Sequence, residues 1–278
     1  MDDADTADDA DDAGAAEGLT FTEGAPGSLL RPHVIHLSAY SERYARPAHR
    51  RQPPFPGIAM IFGLGAPLTM SGPRGERRLA SFAAGLHDTY VDTTLTGAAD
   101  GLQVDLTPLG ARRFFGVPMR ELANRVVSLE EVLGSWATTV IERLAETPGR
   151  PARLALLEAA LSRRINEAPA PDRRVVWAWG RLVAARGAVP VASIAAELGW
   201  SHRHLVARFH DQIGLPPKAA ARVLRFQHAT GRLRSGAALA GTAAACGYYD
   251  QAHMNRDFRA MAGATPGELA SPSRSVPG

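Results

Sequence analysis

The sequence predicts an α+β chain of two domains, a β-rich N-terminal one followed by an all-α C-terminal one that carries two helix-turn-helix units. Three observations predict this. Short apolar runs broken by Pro and Gly fill residues 29–106, capped helical patterns take over from residue 107, and one segment near the C-terminus recurs 48–49 residues later. With 278 residues, 45% of them hydrophobic, each half can bury a core of its own.

The chain opens on MDDADTADDADDAGAAE, with eight acidic residues and no basic one. Such a composition cannot bury enough apolar surface to offset the entropy of ordering, so residues 1–17 are expected to be a disordered acidic tail, and residues 271–278 a second disordered tail. Within 18–147, the runs Val34 to Leu37, Ile58 to Leu64, Leu79 to Leu86 and Leu102 to Leu106 are separated by turn signals such as Ser71-Gly72-Pro73 and predict strands. Helices come next. Thr107-Pro108 starts one through Phe115, Pro118 sits in the first turn of another, and the capping box Ser128-Leu-Glu-Glu131 opens one that ends near Thr147-Pro148. Residues 148–172 form a helical linker. Its residues Leu154, Leu157, Leu161 and Ile165 share one helical face, a stripe expected to pack on its own domain in preference to a homodimer partner. The extended Ala168-Pro-Ala-Pro-Asp172 marks the boundary to residues 173–270.

Charge is distributed unevenly. Residues 173–278 hold 14 basic residues against five acidic ones, a net +9, although the whole chain carries only +3. A domain of that balance attracts polyanions, nucleic acid first among them. No apolar run approaches the roughly 18 residues of a membrane span, and the acidic N-terminus is unlike a secretory signal, so a cytoplasmic protein without membrane contact is expected. One cysteine, Cys246, excludes an internal disulfide framework and a multi-cysteine metal site.

The repeat lies inside the basic region. Ile194-Ala-Ala-Glu-Leu-Gly-Trp200 matches Thr242-Ala-Ala-Ala-Cys-Gly-Tyr248, and after one extra residue Ser201 matches Asp250, Leu205 Met254, Phe209 Phe258, Gly214 Gly263 and Pro217 Pro266. Each copy has a short Ala-rich helix, a glycine (Gly199 or Gly247) for a left-handed turn, and a residue that caps the next helix (Ser201 or Asp250). At about 100° per residue, Leu205, Phe209 and Ile213 are buried in the first copy and Met254, Phe258 and Met261 in the second. The opposite faces then show Arg203, Val206, Ala207 and His210, with His202 beside them, and Ala252, Asn255, Arg256 and Arg259, with Gln251 beside them. Arginine can bond guanine O6 and N7 together, Asn or Gln can pair with adenine, and Ala or Val can touch a thymine methyl, so these faces suit the major groove. An ordinary solvated helix face would look the same in one copy; two copies in one basic region favour DNA. Cys246 matches the apolar Leu198, which makes it a buried structural thiol, and Trp177 and Trp179 are expected to pack in the core or between domains.

On the motifs Ile194-Ala-Ala-Glu-Leu-Gly-Trp-Ser201, His204-Leu205, Arg208-Phe209, Gly214-Leu-Pro-Pro217, Ala243-Ala-Ala-Cys-Gly-Tyr248, Phe258 and Gly263-Ala-Thr-Pro266, residues 173–270 resemble the DNA-binding domain of the AraC/XylS transcription regulators. The resemblance implies seven helices, with two recognition helices joined by a long one at about Pro217 to Arg234. It also implies that one monomer enters two adjacent major-groove segments of double-stranded DNA. Val206 and Ala207 stand where the family often has long polar side chains, which leaves hydrogen-bond readout by the first copy to Arg203 and His202. Residues 58–68 and 106–118 resemble sensor domains attached to some of these regulators, which implies a cupin-like β-barrel and a small-molecule effector.

The expected function is therefore a one-component transcription regulator, with RNA polymerase as a further partner if it activates. No cofactor, metal or catalytic residue is expected. A protein-binding adaptor with inactive helix-turn-helix units is the alternative, and a cupin-type enzyme fused to a DNA-binding domain a weaker one. The histidines His33, His36, His49 and His87 lack the close spacing of a metal-dependent cupin, and Asp88 and Asp92 near His87 read as a solvated loop.

Overall fold

The computed structural model describes residues 18–72 and 75–270. The expected tails lie outside the described residues, as do Pro73 and Arg74 of the expected turn. Eight antiparallel strands make one sheet: β1 (Gly18–Glu23), β2 (Val34–Gln52), β3 (Ile58–Gly63), β4 (Leu68–Gly72), β5 (Gly75–Leu79), β6 (Phe82–Ala84), β7 (Val91–Leu106) and β8 (Val126–Ser128). Their order is β1-β2-β7-β3-β6-β8, and β4 leaves this path to pair with β7 and β5.

The four apolar runs of the sequence lie in or overlap β2, β3, β6 and β7, but β2 and β7 extend to 19 and 16 residues. They pair along almost their whole length, from Val34 with Leu106 to Gln52 with Val91, with a register shift between Tyr44 and Ala48. The far half of β7 is also paired with β4, so one long strand serves two limbs of the sheet. Strand alternation divides the side chains between two apolar layers. Leu37, Ala39, Met60, Phe62, Val104 and Leu106 face the helices. Tyr40, Tyr44, Ile61, Met70, Leu95 and Ala99 line the other face.

Helix α1 (Pro108–Phe115) starts as the sequence predicts, with the Thr107 hydroxyl accepting from the Gly110 N–H. Pro118, expected to open a helix, precedes only a 3-10 turn at Met119–Glu121. The chain reverses at Asn124, whose φ is +54°, and enters β8. The capping box at Ser128 and Glu131 is formed, but Gly134, at φ 57° and ψ −140°, divides the single expected helix into α2 (Leu129–Leu133) and α3 (Ser135–Glu146). Helix α4 (Arg150–Glu167) buries Leu154, Leu157, Leu161 and Ile165 and packs on α1, α3 and β2. The stripe is thus covered by the N-terminal domain, and the extended connector is residues 168–172.

Seven helices complete the described residues: α5 (Arg173–Ala184), α6 (Val191–Glu197), α7 (His202–Ile213), α8 (Pro217–Arg234), α9 (Leu239–Ala245), α10 (Gln251–Ala262) and α11 (Pro266–Ala270). The long helix occupies the span that the family resemblance implied. The expected β-rich and all-α parts are both present, and one apolar cluster runs through both, from Phe114, Met119 and Leu157 to Phe209, Ile213 and Met261.

Candidate nucleic-acid interface and effector cleft

The turn of the first unit, between α6 and α7, is built on Gly199 at φ +65°, and the Ser201 hydroxyl accepts from the His204 N–H at 3.2 Å. The second turn, between α9 and α10, uses Gly247 at φ +72°, and the Asp250 carboxylate accepts from the His253 N–H at 2.6 Å. Left-handed backbone favours glycine because it lacks a Cβ. The caps occupy first-turn donors that the helix itself leaves open. Leu205, Phe209 and Ile213 on α7, and Met254, Phe258 and Met261 on α10, are fully buried. Each such side chain is worth about 1.5–3 kcal/mol of transfer free energy, enough to fix which way each helix faces.

The opposite faces are open in different degrees. His202, Arg203, Ala207, Gln251, Ala252, Arg256 and Arg259 are exposed, whereas Val206, His210 and Asn255 are half-buried. His210 lies beside the N-terminal domain, where burial first and then the Arg120 charge hold its imidazole below its ordinary pKa. A neutral His210 contributes no charge to a phosphate contact at pH 7.

Two buried polar groups on the recognition helices were not singled out in the sequence. Asp257 on α10 is 6% exposed and accepts from Arg222 Nε at 3.2 Å and Nη2 at 3.0 Å, both through Oδ1. Gln212 on α7 is buried and accepts the Asp172 N–H at 2.9 Å, which ties the connector to the first unit. Asp257 comes after Met254 by about 300° of helical rotation, inside the buried arc, so its burial was legible from the angle alone.

The two units meet the N-terminal domain unequally. Helix α7 packs on α1 and on the 3-10 turn, with an Arg120–Asp211 ion pair at the edge, and Gly214 lies against Met119 and Leu86. Helix α10 is touched at its C-terminal end, where the Thr89 hydroxyl donates to the Ala260 carbonyl at 3.1 Å and Arg51 packs on Gly263.

The histidines weighed as metal ligands are engaged separately, His36 with Ser38, His49 with Thr94 and His33 with Arg113. His87 is buried, not in a solvated loop, and Asp88 is held by Asn124 through two hydrogen bonds of 2.9 and 3.0 Å. Asp92 lies on β7, paired with Arg51. His87 and Asp88 border a cleft of about 580 Å³ between the β4–β5 hairpin, residues 87–91 and residues 124–126, and Asp92 borders a smaller one beside it. Met70, Val91 and Val126 give it apolar walls, and Arg77, Asp88, Asn124 and Arg125 give it polar ones. Cys246 is buried, and burial raises its pKa. Trp179 packs near Phe209, but Trp177 is partly exposed beside Arg181.

Residues 194–271 match a family model described as a helix-turn-helix domain. Residues 194–271 thus form a helix-turn-helix domain. Upstream of it, residues 22–128 match a model described only as a domain of unknown function. No curated protein matches the chain. Among solved structures, ToxT from Vibrio cholerae O395 aligns over 84% of this chain and 96% of its own, at 10% identity and a TM-score of 0.48. Unsaturated fatty acid-bound ToxT from Vibrio cholerae strain SCE256 aligns over 89% and 96%, at 10% identity and 0.47. The AraC-like transcriptional activator CuxR aligns over 75% and 86%, at 14% identity and 0.32. The assignment of the helix-turn-helix domain rests on its own family match and repeat, not on these loose overall likenesses. No helix among the described residues is long and apolar enough to cross a membrane.

Proposed function

We propose that the chain is a sequence-specific DNA-binding transcription regulator that reads two adjacent major-groove segments and answers to a small molecule held by its N-terminal domain. The observation that carries the reading is the pair of capped helices, α7 and α10, each with a buried apolar side and a solvent-facing side, in a region of net +9. Arg256, with Gln251 and Asn255 beside it, reads guanine and adenine edges in the second segment; Arg203 and His202 do so in the first, where Val206 and Ala207 contribute methyl contacts. Ala252, Arg259 and His210 flank these positions. The cleft beside β4 supplies the effector site, being of the size that small-molecule pockets have.

Selection of random-sequence duplexes by the full chain tests this reading. Recovery of a motif in two parts, about one helical turn apart, supports it. Arg256→Ala is expected to relax preference in one part and Arg203→Ala in the other. Binding that depends on salt but selects no sequence would favour a non-specific module, and no binding at all would favour the adaptor reading.

A further inference from the structure

The second turn is one residue longer than the first, and the extra residue is aromatic. In the first unit Trp200 is followed directly by the cap Ser201; in the second, Tyr248 is followed by Tyr249 and only then by the cap Asp250. The two tyrosines differ in surroundings. Tyr248 fills the place of Trp200 and is 5% exposed, whereas Tyr249 is 93% exposed, more than any other large apolar side chain among the described residues. Its backbone is held, since its N–H donates to His253 Nδ1 at 3.4 Å, and the next residue, Asp250, commits its carboxylate to the His253 N–H. The side chain is free: at this exposure neither packing nor an internal hydrogen bond accounts for a tyrosine here. Beside it at this end of α10 stand Gln251 and Ala252, both exposed.

Resting on the reading of the chain as a two-segment DNA reader, we infer that Tyr249 grips the sugar-phosphate backbone beside the second segment. Its hydroxyl donates to one phosphate oxygen and its ring lies on the adjoining deoxyribose. In a helix-turn-helix unit the first helix crosses the backbone and the N-terminal residues of the second meet base edges. The turn between them, here residues 246–250, therefore faces the wall of the groove, which is sugar and phosphate. A phenol has one hydroxyl and cannot match a base edge through paired bonds as Arg256 or Asn255 can, but it donates well to a charged oxygen. Such a contact sets register and affinity and carries no base preference of its own. The first unit has no residue at this place, so the grip is on one segment only. It fixes α10 against the duplex, and so serves the base contacts of Gln251, Asn255 and Arg256 without making any itself.

Tyr249→Phe removes the hydroxyl and keeps the ring, and at 93% exposure it leaves the fold undisturbed. The wild type and this variant of the full chain are titrated against the selected duplex, in which single phosphates along both segments are replaced in turn by the neutral methylphosphonate. On the unmodified duplex Tyr249→Phe is expected to bind about 2- to 10-fold more weakly. It is expected to keep the selected motif and the slope of log affinity against log salt, because a neutral donor displaces no counterion. At one phosphate beside the segment read by Arg256, methylphosphonate is expected to weaken the wild type about 2- to 10-fold more than Tyr249→Phe. At every phosphate of the segment read by Arg203 the two are expected to respond alike. Equal responses at all phosphates, or unchanged affinity of Tyr249→Phe, overturn the proposal, as does a changed base preference, which would make Tyr249 a base reader. Failure of the wild type to bind any duplex would overturn the DNA reading itself, whereas sequence-selective binding without coupling at Tyr249 overturns this inference alone.

Discussion

Replacing Arg222 by Met keeps most of the side-chain stem but strands the Asp257 carboxylate, which is 6% exposed and bonded to Arg222 through one oxygen while its other oxygen, Oδ2, has no hydrogen-bond partner. Removing one member of a buried pair costs about 3–5 kcal/mol, because the remaining charge is left uncompensated. His253 Nε2, at 4.0 Å from Oδ2, is too far to take over the bond. For a protein of this size about 3 kcal/mol corresponds to a fall in Tm of roughly 6–12 °C. Because Asp257 lies on α10 and Arg222 on α8, the loss falls on the second recognition helix. Calorimetry of the wild type, Arg222→Met, Asp257→Asn and the double variant completes a cycle. Asp257→Asn is expected to cost less than Arg222→Met and to recover part of the loss when combined with it. A drop below about 1 kcal/mol for Arg222→Met would refute the reasoning, since it would mean that the carboxylate reaches water when its partner is gone.

Arg203→Ala is expected to cost about 1–3 kcal/mol of discrimination at one base pair of the first segment, and Ala207→Ser much less; anisotropy titrations against substituted duplexes measure both. Gly214→Ala forces a Cβ onto backbone at φ +103°, 3.3 Å from the Met119 carbonyl, and is expected to cost about 1–3 kcal/mol in denaturant unfolding. His33, His210 and His228 all have pKa values held below 6.5, chiefly by burial and also by nearby arginines. The unfolded chain therefore binds more protons just below that pH, so the stability they contribute is complete above about 6.5 and is lost as pH falls through the lower folded values. Melting at pH 7.5 and 5.5 is expected to show the drop, and His33→Gln to reduce it.

The parts of the fold legible in the sequence are those set by local chemistry. Thr107, Ser128, Ser201 and Asp250 cap helices where they stand, because a short polar side chain before an apolar stripe answers the open donors of the first turn. The buried sides of α7 and α10 are set by helical angle. The outer halves of β2 and β7 were not legible, because Ser41, Arg43, Thr93 and Thr94 belong to a half-exposed sheet and break the apolar runs used to find strands. Strand β8 is three residues long, too short for any period. The seat of α7 on the N-terminal domain was hidden for another reason. Asp211 and Arg120 are ordinary surface charges in the sequence, 91 residues apart, and only tertiary packing makes them partners.

As a DNA reader, the chain would divide the work of recognition unequally between the two copies of the repeat. In the first, Val206 and Ala207 leave few hydrogen-bonding groups on the outward face, His210 is held neutral beside the N-terminal domain, and the helix is seated on buried apolar surface. Most of its value to a DNA reader then lies in position and shape, and its specificity in Arg203. In the second, Gln251, Asn255 and Arg256 bring bidentate groups to one face, while the helix is steadied by one hydroxyl and one arginine from the N-terminal domain. Unseating α7 would expose Met119 and Ile213 to water, at about 1.5–3 kcal/mol for each side chain, whereas the contacts of α10 with the N-terminal domain include the exposed Thr89 hydroxyl bond and Arg51 on Gly263.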